Sequence, residues 1–176
     1  MAGHNKWSKI KHKKAVTDAQ KSKVFSKLAR LIAAESKKAG GDKDAPGLRA
    51  VVEKARAANM PKDNIERAIA KGAGAGAAAD EEVVYEFYGP GGVAVIVYAL
   101  TDNKNRTTPE IKHILSKRGY DLATPGSASW AFSKEGNEYT PNSFVELSSE
   151  DEEKLQELLE TLEEHDDVQE IFTNAK

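Results

Sequence analysis

The stretch Val83-Val84-Tyr85-Glu86-Phe87-Tyr88-Gly89-Pro90-Gly91-Gly92-Val93-Ala94-Val95-Ile96-Val97-Tyr98-Ala99-Leu100 decides the fold. Residues 83–88 and 93–100 are rich in β-branched and aromatic side chains, and the four residues between them are turn chemistry, which together predict a β-hairpin. Downstream, Thr107 or Thr108 is placed to cap a helix with Pro109 and Glu110 in its first turn and Ile111, Ile114 and Leu115 inward, ending near Gly119. Residues 127–133 alternate as a strand that assigns Trp130 and Phe132 to the core, and 144–147 read as another strand. Ser148 or Ser149 then starts an acidic helix whose Leu155, Leu158, Leu159 and Leu162 recur at helical spacing. A last strand covers 168–172. The order ββαβ then βαβ predicts an α+β domain over 81–176, with an antiparallel or mixed sheet of about five strands backed by two helices.

Upstream of the hairpin the period changes. Residues 72–79 (Gly-Ala-Gly-Ala-Gly-Ala-Ala-Ala) are small and have nothing to bury, so 73–80 reads as a flexible linker. A phosphate-binding glycine loop is excluded, because no strand precedes it and no Lys-Ser/Thr follows. Before it, Thr17 or Asp18 can cap a helix that runs to about Lys38 and stops at Gly40-Gly41. Val24, Phe25, Leu28, Leu31 and Ile32 form its apolar stripe, and Lys23, Lys27, Arg30 and Lys37 lie opposite. Pro46 opens a second helix carrying Leu48, Val51, Val52 and Ala55. Pro61 opens a third, with Ile65, Ala68 and Ile69 inward and Gly72 as its stop. Residues 1–72 thus predict a basic arm followed by a three-helix domain.

Charge separates the two parts. Residues 1–72 carry 18 Lys and Arg against 7 Asp and Glu, while the remainder carries 8 against 21, although the whole chain is close to neutral at −2. Such a division presents a basic surface to a polyanion and an acidic one elsewhere. Within residues 1–14, Lys6, Lys9, Lys11, Lys13 and Lys14 are interleaved with His4, Trp7 and His12, and no acid is present. Flexible cations suit phosphates, since each neutralised phosphate releases condensed counterions, and an indole offers a face for a base. The candidate nucleic-acid-binding residues are therefore Lys6, Trp7, Lys9, Lys11, His12, Lys13, Lys14, Lys23, Lys27 and Arg30. The competing readings are a solubilising tail, a solvated helix face and, for Trp7, an aromatic tucked against the helices.

The remaining chemistry is sparse. With 176 residues, 39% hydrophobic and 31% charged, the chain has the composition of an ordinary folded soluble protein. The absence of cysteine excludes disulfides and thiolate chemistry. No apolar run approaches the roughly 20 residues of a membrane span, and no signal-peptide pattern follows the first charges, so a cytoplasmic protein is expected. The four histidines are scattered, no serine elbow is present and the acidic pairs lie in solvated runs, so neither an enzyme nor a bound metal or cofactor is expected. In Thr101-Asp102-Asn103-Lys104-Asn105-Arg106-Thr107, the Asp and Asn side chains suit turn and cap hydrogen bonds, while Lys104 and Arg106 are a secondary nucleic-acid candidate beside a helix N-terminus.

Several of these segments together resemble one family. Residues 3–14, Tyr85-Glu86-Phe87-Tyr88-Gly89-Pro90-Gly91-Gly92, Asp102-Asn103-Lys104-Asn105-Arg106-Thr107, Gly126-Ser127-Ala128-Ser129-Trp130 and Asp166-Asp167-Val168-Gln169 are similar, in order, to the YebC/PmpR family, which includes the mitochondrial translational activator of cytochrome c oxidase. The resemblance implies a helical N-terminal domain, a ferredoxin-like α+β domain and a third domain inserted within the second. Here the chain passes almost at once from Gly136 to Tyr139-Thr140-Pro141-Asn142, which looks like a short member lacking the insertion, with 134–142 closing the gap as a loop. It further implies a nucleic-acid-binding regulator of gene expression, either a ribosome-associated factor aiding elongation through proline-rich sequence or a transcriptional regulator on duplex DNA. A lysine-rich arm suits backbone charge and stacking better than a base code, which favours ribosomal RNA. A protein-interaction adaptor working through the acidic half is the alternative of a different class. No membrane or small-molecule partner is expected, and a monomer is assumed.

Overall fold

The computed structural model describes residues 17–74, 76 and 80–176. They fall into two compact units, a helical one ending at Glu81 and an α+β one from Glu82 to Lys176. Half of the predicted linker, residues 75 and 77–79, lies outside the described residues.

The helical unit contains α1 (Asp18–Lys38), α2 (Pro46–Ala57) and α3 (Lys62–Ala73). Thr17 caps α1 reciprocally: its hydroxyl accepts the Gln20 N–H at 3.3 Å, while its own N–H donates to Gln20 Oε1 at 2.8 Å. Past the helix, Gly40 and Gly41 adopt φ of 60° and 83°, a region open to glycine at little steric cost. Pro46 takes the first position of α2, where its missing N–H costs nothing. The core gathers Ile32, Leu48, Val51, Ala55, Met60, Ile65, Ala68 and Ile69, with Phe25, Leu28 and Leu31 partly buried against it. Val24 departs from the predicted stripe and is 38% exposed. At 1.5 Å per residue α1 is about 31 Å long and its two partners about 18 Å, so the first turns of α1 extend beyond their cover.

Gly72 is not the stop expected of it. The helix continues to Ala73 and Gly72 is buried on its inner face. A Cβ there would stand 2.1 Å from the Ala33 carbonyl oxygen and 2.8 Å from Ser36 Cβ. The two backbones therefore touch, and the Ser36 hydroxyl donates to the Ile69 carbonyl across the same contact at 2.7 Å.

The second unit runs β1 (Glu81–Tyr88), a 3₁₀ turn at Pro90–Gly92, β2 (Ala94–Thr101), α4 (Lys104–Ser116), a 3₁₀ turn at Ser129–Ala131, β3 (Phe132–Glu135), β4 (Glu138–Pro141), α5 (Ser149–Glu163) and β5 (Val168–Thr173). β1, β2 and β5 form a three-stranded sheet with β2 central and β5 antiparallel to it, while β3 and β4 form a separate antiparallel hairpin. The unit is thus α+β, as expected, with two helices and five strands divided between two sheets. All eight residues of β2 are buried. One face carries Val95, Val97 and Ala99 against Ile111 and Leu115 of α4 and the four leucines of α5, each leucine contributing about 2 kcal/mol by leaving water. On the other, Tyr139 of β4 packs on Phe172 of β5 at 5.3 Å between ring centroids and meets Phe132 edge-on at 6.3 Å.

Four expectations for this unit need correction. Residues 127–131 are turn and 3₁₀ rather than strand, so Phe132 is buried but Trp130 is 63% exposed. Residues 134–142 are largely the β3–β4 hairpin and not a loop; Glu135 pairs with Glu138 across a two-residue Gly136-Asn137 turn in which Gly136 has φ 59°. Residues 144–147 supply only a bridge from Val145 to Ala175, and Phe144 is 61% exposed. The α4 helix starts a turn early, because the Asn103 side chain accepts the Asn105 N–H, whereas Thr107 turns inward; Pro109 is then inside the helix.

Candidate nucleic-acid interface

On α1, Lys23, Lys27 and Arg30 recur at i, i+4 and i+7, so the helix brings them to one face. All three are half-buried rather than fully extended into solvent. Arg30 is also committed locally, its Nε donating to Asp80 Oδ2 at 2.8 Å. The arm candidates Lys6, Trp7, Lys9, Lys11, His12, Lys13 and Lys14 lie outside the described residues. Sequence reading did not single out a groove of about 470 Å³ beside α2 and α3, lined by Leu48 and Val52 with cations Arg49, Arg56 and Lys62 and acids Glu53 and Glu66. Its cations are dispersed through two helices, so no run of charge marks it.

The secondary candidates separate. Lys104 is exposed as the first residue of α4. Arg106, in the same turn, is a structural tie: its guanidinium donates to the buried Asp167 Oδ2 at 2.8 Å and reaches Asp102 Oδ1 at 2.9 Å. Thr107 donates to the same Asp167 oxygen at 2.6 Å and meets Thr101 Oγ1 at 2.7 Å. The hydrogen bonds that Arg106 donates, first to Asp167 and then to Asp102, hold its pKa above that of an ordinary arginine, so its charge is permanent. Asp167 thereby fastens the start of α4 to the turn between α5 and β5. Asp167→Ala is expected to lower stability by about 2 kcal/mol, less than for a fully buried pair because Arg106 is 43% exposed. Asp167→Asn should recover part of that loss, and denaturant midpoints of the two variants check it.

His165 sits beside this tie. It accepts the Asp167 N–H at Nδ1 (3.1 Å), which assigns the ring proton to Nε2, 2.7 Å from Glu110 Oε2. Glu110, His165 and Asp167 could hold a metal ion, since one ligand atom from each lies within 4.8 Å of the others. Arg106 already supplies positive charge there, with its Nε 3.9 Å from Glu110. The group escaped the sequence reading because Glu110 and His165 are 55 residues apart.

Comparisons with known proteins agree along the chain. The TACO1/YebC protein N-terminal domain matches residues 5–75, and the TACO1/YebC second and third domain matches 80–138 and 135–175. The chain belongs to the TACO1/YebC family. A probable transcriptional regulatory protein of Fervidobacterium nodosum is 40% identical over 235 aligned positions, covering 99% of this chain and 93% of that protein. One from Thermosipho africanus is 56% identical over 138 residues, which take in 77% of this chain but 55% of that protein's length, so the chain spans about half of that relative. The crystal structure of a conserved hypothetical protein from Aquifex aeolicus superposes with a TM-score of 0.83 at 36% identity, covering 98% of this chain and 97% of the other.

Two segments that carried the TACO1/YebC resemblance meet in space. The buried Glu86 carboxylate of β1 accepts the N–H of Gly126 on Oε1 (2.8 Å) and those of Ala128 and Ser129 on Oε2 (2.8 and 2.9 Å). Two residues on, the Tyr88 hydroxyl donates to the Ser127 carbonyl and accepts the Trp130 indole N–H at 2.8 Å. Glu86 and Tyr88 therefore fix the 126–130 turn and leave the indole outside.

Proposed function

We propose that this TACO1/YebC chain is a non-enzymatic, cytoplasmic, nucleic-acid-binding regulator of gene expression that docks on ribosomal RNA and assists elongation through difficult, proline-rich sequence. The observation that carries this reading is the cationic face of α1, where Lys23 and Lys27 stand beside an Arg30 that also holds Asp80, in a part of the chain that holds 18 Lys and Arg against 7 acids and begins with a five-lysine arm. Lysines without a rigid array of base-reading side chains recognise a phosphate surface rather than a sequence. In this reading Lys6, Lys9, Lys11, Lys13 and Lys14 contact phosphates, Trp7 stacks or anchors, His12 lies within the same footprint, and Lys104 adds a lesser contact. Among the described residues no helix is long and apolar enough to cross a membrane. The short passage through the β3–β4 hairpin, against 235 aligned positions in the Fervidobacterium relative, supports a member without the inserted third domain.

Duplex DNA is the second reading, favoured by the relatives' description as probable transcriptional regulatory proteins. Sedimentation with ribosomes and binding to mixed duplex DNA, across a salt series and with or without residues 1–14, separates the two. Ribosome binding that persists near physiological salt and needs the arm is the expected result, whereas tight binding to a DNA subset with ribosomes ignored would replace it. Lys23→Gln/Lys27→Gln should reduce the slope of log K against log salt by roughly 1.4 on single-stranded RNA, about 0.7 for each phosphate no longer neutralised.

A further inference from the structure

The α+β unit is acidic, yet its cations are not spread evenly. Five of the eight Lys and Arg between residues 81 and 176 fall between Lys104 and Arg118, where Glu110 is the one acid; the other 19 Asp and Glu lie elsewhere in the unit. Most of this positive charge falls on α4. Ile111 and Leu115 set its buried side, and at 100° per residue Asn105, Lys112, His113, Ser116 and Lys117 fall on the other. All five are exposed. Of the unit's three lysines outside this segment, Lys154 pairs with Glu150 at 2.6 Å and Lys176 with Glu146 at 3.1 Å, while Lys134 lies over the Tyr139 ring. No ion pair joins Lys104, Lys112 or Lys117 to an acid among the described residues. Lys112 has no acid three or four positions away, and the one at that spacing from Lys117, Asp121, lies beyond the helix and past Gly119. Lys117 at the helix end has a local reason in the macrodipole, but Lys112, mid-helix, has none. What remains is an outward helix face on which Lys112, His113 and Lys117 stand with small polar side chains; its one acid, Glu110, is turned to His165 at 2.7 Å and Arg106 at 3.9 Å, and the rest of the unit is acidic and would disfavour a polyanion.

We propose that this face of α4, with Lys104 at its start, is a second polyanion-binding surface that takes the phosphate backbone of RNA. It rests on the nucleic-acid reading above and extends it from the helical unit to the α+β unit. Arg106 has no part in it, being spent on Asp102 and Asp167. The test is fluorescence anisotropy of a labelled single-stranded oligoribonucleotide with the full chain across a salt series. Lys112→Gln/Lys117→Gln should flatten the salt slope by about 1.4 and weaken binding about tenfold at low salt, and the Lys→Glu pair should weaken it further. Lys154→Gln, which removes a lysine already paired, should behave as wild type. Wild-type affinity and slope in both α4 variants, with binding still abolished by Lys11→Glu/Lys13→Glu, would overturn the second surface while leaving the first intact. A wild-type chain that binds no RNA would sink both. All variants of α4 are at exposed positions, and unchanged thermal unfolding shows that they fold.

Discussion

Gly72→Ala is expected to unfold the helical unit or lower its stability by about 3 kcal/mol, at the top of the range for overpacking a core. On propensity alone the change should help, because alanine favours a helix by about 1 kcal/mol over glycine. Sterics decide the sign: the new methyl would stand 2.1 Å from the Ala33 oxygen, which is backbone and unable to rotate away. Relief requires α1 and α3 to separate, and that strains the Ser36 bond to Ile69 and opens the packing around Ile32 and Ile69. Gly40→Ala is the control. Nothing lies within 4 Å of its Cβ, so only its φ of 60° opposes the change, at about 1 to 2 kcal/mol. Thermal unfolding followed by circular dichroism compares the two, and equal losses would show that the helices part without cost.

Glu86→Ala should cost about 3 kcal/mol and release the turn that holds Trp130. It leaves three backbone N–H groups without their acceptor, each worth about 1 to 3 kcal/mol where water is excluded, and the partial exposure of two of them limits the sum. Glu86→Gln should be milder, because an amide oxygen can keep the Ala128 and Ser129 bonds while its NH₂ is turned against the Gly126 donor. In a Trp7→Phe background the one remaining indole reports the turn directly. Its emission should shift and its quenching rise for Glu86→Ala at denaturant concentrations where the rest of the unit is intact. An unchanged spectrum would mean that Tyr88 alone suffices to hold it.

Elements governed by local rules were legible in the sequence. The Thr17 cap, Pro46 in a first turn and the four leucines of α5 follow from hydrogen-bond satisfaction and helical period, and each stands where those rules put it. The failures share a cause, a distant partner overriding a local signal. Gly72 resembles a stop until α1 passes against it. The alternation around Trp130 resembles a strand until Glu86, some 40 residues earlier, captures its N–H groups. Thr107 resembles a cap until Asp167 draws its hydroxyl inward. Of the candidate interface, the sequence reveals the α1 lysines by spacing, but it could not show that Arg30 and Arg106 are already bound to acids 50 and 61 residues away.

The place of β5 has a consequence for the order in which this protein forms during its own synthesis. The central strand β2 is covered on one edge by β1, joined to it by a short turn, but its other edge pairs Val97 with Ile171, 74 residues later. Until that late segment has left the ribosome, the edge of β2 is a row of open hydrogen-bonding groups on an apolar strand, the kind of template on which nascent chains misassociate. The helical unit closes through packing among neighbouring helices and has no such wait. At 5 to 20 residues per second the gap lasts roughly 4 to 15 seconds. For that interval the nascent chain carries a finished basic unit and an unfinished sheet, and chaperone demand should be concentrated there.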